Sequence, residues 1–337
     1  MALDAFSFQG RGAAQEPSHA TLEQAAEWYA LLCSRHITDQ DKARWREWLQ
    51  ASPEHRTAWR YVEEISKGFA PLQETTDPKL TADKLLRANV QFRQRRRVLA
   101  SVAGLVGSGV LGWAVWRYTP LPGSVLAWSA DHRSGTGELR DIVLEDGTHI
   151  WLNTASAFNV RYTPSQRRIA LVAGEIFIAT AADPERPFLV DTSQGSLRAL
   201  GTRFNVRQKD GHTQMAVYEG AVEIRTASTG ATAVIQAGQQ ASFTREMVTR
   251  AVPADMAREA WTRGVLVARD VPLREVVQEL RRYRRGHIGL ADEIADLKVY
   301  GNFPAHDTDR ALDMLTTALP VQIRRTLPWW VSIEPRS

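Results

Sequence analysis

Apolar positions along the chain follow four successive rhythms. From residue 20 they recur at helical spacing: Leu22, Ala25, Ala26, Tyr29, Leu32 and Cys33 share one face, Trp45, Trp48 and Leu49 a second, and Ala58, Trp59, Val62 and Ile65 a third. A start signal precedes each run. Thr21 with Gln24 and Thr38 with Asp41 read as capping boxes, and Ser52 before Pro53 reads as an N-cap and first-turn pair. A fourth helix is expected from Thr81. Helices this short are marginal alone, so their faces are expected to meet in a small bundle over residues 20–80.

The second rhythm is no rhythm at all. Residues 98–116 carry no charge and no Asn, Gln, Pro or His. A helix of that length, at ~1.5 Å per residue, reaches roughly 30 Å, the thickness of bilayer hydrocarbon, so one membrane-spanning helix is expected there. Lys79 to Arg97 holds seven Lys/Arg against one acid, so residues 81–97 read as a basic juxtamembrane helix with the N-terminus in the cytoplasm. Ala100, Gly104, Ser108 and Gly112 form a small-residue ladder that would admit a second helix, hence a possible homodimer. Gly107, Gly109 and Gly112 also spell G-x-G-x-x-G, but Pro120 and Pro122 cut the helix too short for a dinucleotide-binding unit.

From Glu138 to Phe243 the period falls to two. Ile142 to Leu144 lead through Asp146-Gly147 into Thr148, Ile150 and Leu152, a hairpin with a type I′ signal; Phe204 and Val206 pass through Asp210-Gly211 into Thr213, Met215 and Val217. An all-β unit over 135–250 follows. After Trp261 a strand-helix-strand unit is written twice, with helices over Pro272 to Tyr283 and Thr308 to Leu319, giving a small α+β domain over 260–335. Arg281, Arg282, Arg284 and Arg285 read as cations offsetting a helix dipole, with Gly286 as the stop. The fold class expected is thus a multidomain single-pass membrane protein: an all-α bundle, one transmembrane helix, an all-β domain and an α+β C-terminus.

Composition narrows the function. The net charge of +4 sits largely in the arginine cluster before residue 98, and Ala20 to Lys67 holds seven Lys/Arg against eight Asp/Glu, a poor footprint for nucleic acid. A lone cysteine, Cys33, permits no intrachain disulfide. No metal spacing, cofactor motif or catalytic constellation is evident, so no enzyme, metal or cofactor is expected. Trp28, Trp45, Trp48 and Trp59 are a heavy aromatic load for a small bundle, divided between core and partner contact. Tyr300, Phe303, Trp329 and Trp330 are candidates for a second contact on the edges of the terminal domain.

Several phrases resemble those of the FecR/PupR family of transmembrane anti-sigma factors: Leu144-Glu-Asp-Gly-Thr148, Trp151-Leu-Asn153, Ala173-Gly-Glu175, Arg186-Pro-Phe188, Leu200-Gly-Thr-Arg-Phe204 and Tyr218-Glu-Gly220. Ala25-Ala-Glu-Trp28, Trp45 to Leu49 and Ser52-Pro-Glu-His-Arg-Thr-Ala-Trp59 resemble the family's sigma-binding domain, and the last seventy-odd residues a short domain shared with secretins and TonB-dependent receptors. The resemblance implies an inner-membrane protein, cytoplasmic at its N-terminus and periplasmic at its C-terminus. Its bundle would hold an extracytoplasmic-function sigma factor through Trp28, Trp45, Trp48 and Trp59. Its outer part would contact the signalling domain of an outer-membrane TonB-dependent transporter, usually for iron, and envelope proteases would release the sigma factor. Two rival readings are a membrane-bound one-component DNA-binding regulator with a periplasmic sensor, which the bundle's charge disfavours, and a periplasmic scaffold.

Overall fold

The computed structural model describes residues 17–34, 37–73, 127, 129–199 and 201–336. Three helices form the N-terminal unit: α1 (His19–Leu32), α2 (Asp39–Ala51) and α3 (Pro53–Gln73). The Thr38–Asp41 capping box closes α2 from both sides, and Ser52 Oγ accepts from Glu54 N–H ahead of α3. Helix α1 begins earlier than expected. Ser18, not Thr21, is its N-cap and accepts the Thr21 N–H at 3.3 Å, so Thr21 lies inside the first turn.

Two seven-stranded sheets pack face to face. In order, the first holds His132–Arg133, Ala157–Thr163, Gln166–Ala173, Phe188–Thr192, Gly195–Ala199, Ala221–Thr226 and Thr232–Gln236. The second holds Val252–Pro253, Gln239–Phe243, His212–Glu219, Arg203–Lys209, Glu175–Ala179, His149–Leu152 and Arg140–Val143. Every pairing is antiparallel save Gln166–Ala173 with Phe188–Thr192. Alternation decides which side chains are inside: Ile150 and Leu152, Ile169 and Leu171, Phe204 and Val206, Val222 and Ile224 all point into one core between the sheets.

Both Asp-Gly hairpins form, in a different turn class from the one expected. Leu144 N–H donates to Thr148 C=O and Gly147 N–H to Leu144 C=O, both at 2.9 Å, so Glu145-Asp146-Gly147 is a three-residue loop. Only Gly147 is left-handed, at φ 82°, and at the second hairpin only Gly211, at φ 76°. A type I′ turn would need its aspartate there as well.

The terminal domain follows the expected order, with α4 (Leu273–Tyr283) and α5 (Thr308–Ala318) packed over a shared core. Its strands divide into two small sheets. The strands that open the two repeats, Val265–Pro272 and Lys298–Pro304, pair with each other, while His287–Leu290 and Val321–Leu327 flank Trp330–Pro335.

The membrane-spanning architecture requires correction. No helix among the described residues is long and apolar enough to cross a membrane, and the described part is mostly β with a short helical region in front. The 81–97 and 98–116 segments, with their glycine ladder and the fourth helix, lie outside the described residues. Moreover, the bundle and the terminal domain, expected on opposite faces of a bilayer, share one apolar cluster: Ala25, Ala26, Ala58 and Val62 meet Trp329 and Trp330. Glu23 of α1 joins them with a polar contact, accepting from Trp330 Nε1 at 2.7 Å and from Ser332 Oγ.

Candidate functional site

The four bundle tryptophans take two different positions. Trp59 is buried, its ring 5.1 Å from Trp45 and 5.9 Å from Tyr29. Trp28, Trp45 and Trp48 are only half-buried. Trp48 stacks on His55 at 4.5 Å and donates to Gln24 Oε1 at 3.0 Å; Trp28 lies beside it and carries the Arg44 guanidinium over its ring. Helix α2 has no buried residue although it holds Trp45, Trp48 and Leu49. Its apolar face is unfinished.

The terminal aromatics also separate. Phe303 is in the domain core and Tyr300 is 66% exposed on the same strand. Trp329 and Trp330 are buried where the terminal domain meets the bundle, Trp329 against Tyr29 and Phe69 of the bundle, Trp330 between Tyr61 of the bundle and His287 of its own domain. Burial without an accessible partner charge pushes His287 down to about 3, with Arg281 and His19 acting in the same direction.

A joint between the sandwich and the terminal domain, which the sequence reading missed, holds the densest electrostatics. Glu175, at the start of its strand, is buried on the outer face of the second sheet. It accepts from Asn153 Nδ2 and Asn205 Nδ2, both at 2.9 Å, and pairs with Arg282 of α4 at 2.7 Å. Arg282 also reaches Glu279 at 2.7 Å, and Glu279 meets Arg207 at 2.5 Å. Burial disfavours both carboxylates, but the guanidinium groups of Arg282 and Arg207 outweigh it. Glu175 is held below the usual carboxylate range and Glu279 falls to about 2. Beside this network Trp261, from the 3-10 helix Met256–Arg263, covers Phe177 and Tyr218 and donates to Asn205 Oδ1 at 3.2 Å. Next to the joint opens a cleft of about 490 Å³.

Most of the family-like phrases are structural fixtures of this unit. Gly174, at φ 84°, lets the chain pass Ser156, where a Cβ would overlap the Ser156 side chain; Gly220, at φ 76°, passes equally close to Gly201 C=O. Asp146 is a further acid with an enclosed side chain: it takes Arg167 at 2.7 Å, Thr148 Oγ1 at 2.7 Å and the Tyr162 hydroxyl at 3.0 Å. Arg167 in turn donates to the Arg186 carbonyl and lies over the Phe188 ring. Arg203 of the Leu200–Phe204 phrase pairs with Glu219 and Glu259.

Fold and joint together define a multidomain sandwich protein with a helical head and an ionically fastened terminal domain. Residues 130–223 match the FecR protein family, and residues 23–65 match a domain of unknown function, DUF4880. Two crystal structures of a candidate anti-sigma factor from Parabacteroides distasonis have a similar fold, each with a TM-score of 0.50 and 22% identity over 61% of this chain; they are covered over 99% and 98% of their own length. No curated protein matches the chain.

Proposed function

We propose that the chain is an anti-sigma regulator whose helical unit holds an extracytoplasmic-function sigma factor. The observation that carries this reading is α2, which leaves Trp45, Trp48 and Leu49 without full burial. Three incompletely covered indoles on one small unit supply the large, rigid anchors that protein interfaces favour. The match of residues 130–223 to the FecR family and the likeness in fold to a candidate anti-sigma factor support the same assignment. The sandwich and the terminal domain would then receive the signal, in the family's manner from a TonB-dependent transporter serving iron uptake, with proteolysis as the release step.

The test is co-purification of the full chain with each extracytoplasmic-function sigma factor of its host, followed by transcription in vitro. One sigma factor is expected to be retained and its transcription altered in proportion to the regulator added. Retention of none, or a gel shift of promoter DNA by the chain alone, overturns the reading.

A further inference from the structure

We infer that the cleft between the sandwich and the terminal domain is a docking site for an extended acidic peptide segment. Its floor is the outer face of the second sheet. Strand register puts Gln214 opposite Arg207, with Lys209 two residues along on the same face. Its far wall includes Val265, Leu266, Val267 and Ala268.

Three observations on this cleft converge. Charge comes first. The acids Glu175 and Glu279 are already matched by Arg282 and Arg207, and of the two acids at the rim, Asp255 caps the Met256–Arg263 turn while Glu275 is exposed in the first turn of α4. Among the described residues Lys209 has no ion pair, and Arg258 reaches only Glu279 at 3.5 Å. Burial and the neighbouring Arg207 and Arg258 bring the Lys209 ammonium down to about 8, outweighing the opposing pull of Glu279 and Glu175, neither of which is in contact with it. The second observation is an orphan acceptor: Gln214 Oε1 is buried without a hydrogen-bond partner among the described residues. The third is a strand edge. Among the described residues Val265–Pro272 pairs on one side only, with Lys298–Pro304, and its first four residues line the cleft.

Each feature selects a different part of one ligand. A carboxylate answers Lys209 and Arg258, a backbone N–H answers Gln214, and an extended main chain answers the open edge by strand addition. A small free carboxylate would satisfy the first alone. The site is independent of what the bundle holds.

The probe is an acetylated, amidated Thr-Glu-Val-Glu-Thr peptide titrated calorimetrically into the full chain, beside its Thr-Lys-Val-Lys-Thr counterpart and free glutarate. The glutamate peptide is expected to bind, more weakly as salt rises, and the other two are not. Lys209→Gln should weaken binding about tenfold, the worth of one charge-assisted hydrogen bond, and Lys209→Arg should restore most of it. Circular dichroism of each variant confirms that it is folded. Absence of binding by the glutamate peptide, equal binding of the lysine peptide or of glutarate, or unchanged affinity in folded Lys209→Gln overturns the inference.

Discussion

Arg282 and Glu175, more than a hundred residues apart in sequence, meet at 2.7 Å across the junction between α4 and the sandwich. The pair is nearly closed to solvent, with side-chain exposures of 18% and 7%. Removing one partner of such a pair leaves an uncompensated charge in low dielectric. Arg282→Ala should therefore destabilise the chain by roughly 3–5 kcal/mol, well above the cost of an exposed pair. Chemical denaturation of Arg282→Ala, Glu175→Gln and the double variant measures the coupling. The double variant should be less destabilised than the sum of the singles, and strict additivity would show that the two do not act together.

Why the sequence concealed this joint is a matter of range. Period-two alternation exposed the strands because every Ile150–Leu152 or Phe204–Val206 step carries its own evidence, and the Thr38–Asp41 cap is contained in four residues. Arg282 instead sits among arginines at a helix end, where dipole compensation is a sufficient local explanation, and nothing near it points to Glu175. The Ala173-Gly-Glu175 phrase held the one usable signal. Gly174 accounts for the glycine, but an acid beginning an otherwise apolar strand, Glu175–Ala179, had no solvent-facing reason to be there. The Ser18 cap was displaced from the expected site because Ser18 and Thr21 are both competent caps, and only the backbone geometry distinguishes them.

The enclosed carboxylates of the joint and of the Asp146 cluster fix the acid limb of stability. Glu279 falls to about 2 from an ordinary 4.5, and Glu175 and Asp146 are also lowered. A carboxyl whose folded pKa is depressed binds fewer protons folded than unfolded, so its stabilisation is complete above the unfolded value and is lost as pH falls toward the folded one. Unfolding free energy should be flat with respect to these groups above about pH 5 and should decline between about pH 4.5 and 2. Glu279→Gln should shallow that decline. An unchanged slope in the variant would mean that Glu279 is not ionised preferentially in the folded chain.

Two glycines of like conformation should respond differently to alanine. Gly174 and Gly211 are both left-handed, at φ 84° and 76°, but a Cβ on Gly174 overlaps Ser156, whereas one on Gly211 meets nothing within 4 Å. Gly211→Ala should cost about 1 kcal/mol from backbone strain alone. Gly174→Ala adds displacement of Ser156, whose hydroxyl holds the Glu175 N–H at 2.8 Å, and should cost more than about 2 kcal/mol. Thermal melts of the two variants give the comparison, and equal shifts would remove steric contact from the explanation.

The bundle tryptophans offer the most direct separation of fold from function. Trp59 is 9% exposed and touches both Trp45 and Tyr29, so it holds α3 against its neighbours. Trp59→Ala should cost roughly 3–5 kcal/mol, enough to unfold a unit of marginal stability. Trp28 differs in position. It is half-buried, 6.5 Å from Trp48, with Arg44 above it, and its loss opens no enclosed cavity. Trp28→Ala should leave helicity intact and cost no more than about 1.5 kcal/mol. If the incompletely covered face is where the sigma factor docks, Trp28→Ala and Trp45→Ala should lower its affinity by about tenfold or more while circular dichroism stays unchanged, the magnitude expected of an interface anchor. Sigma-factor binding that survives in both folded variants would place the contact on another face of the bundle.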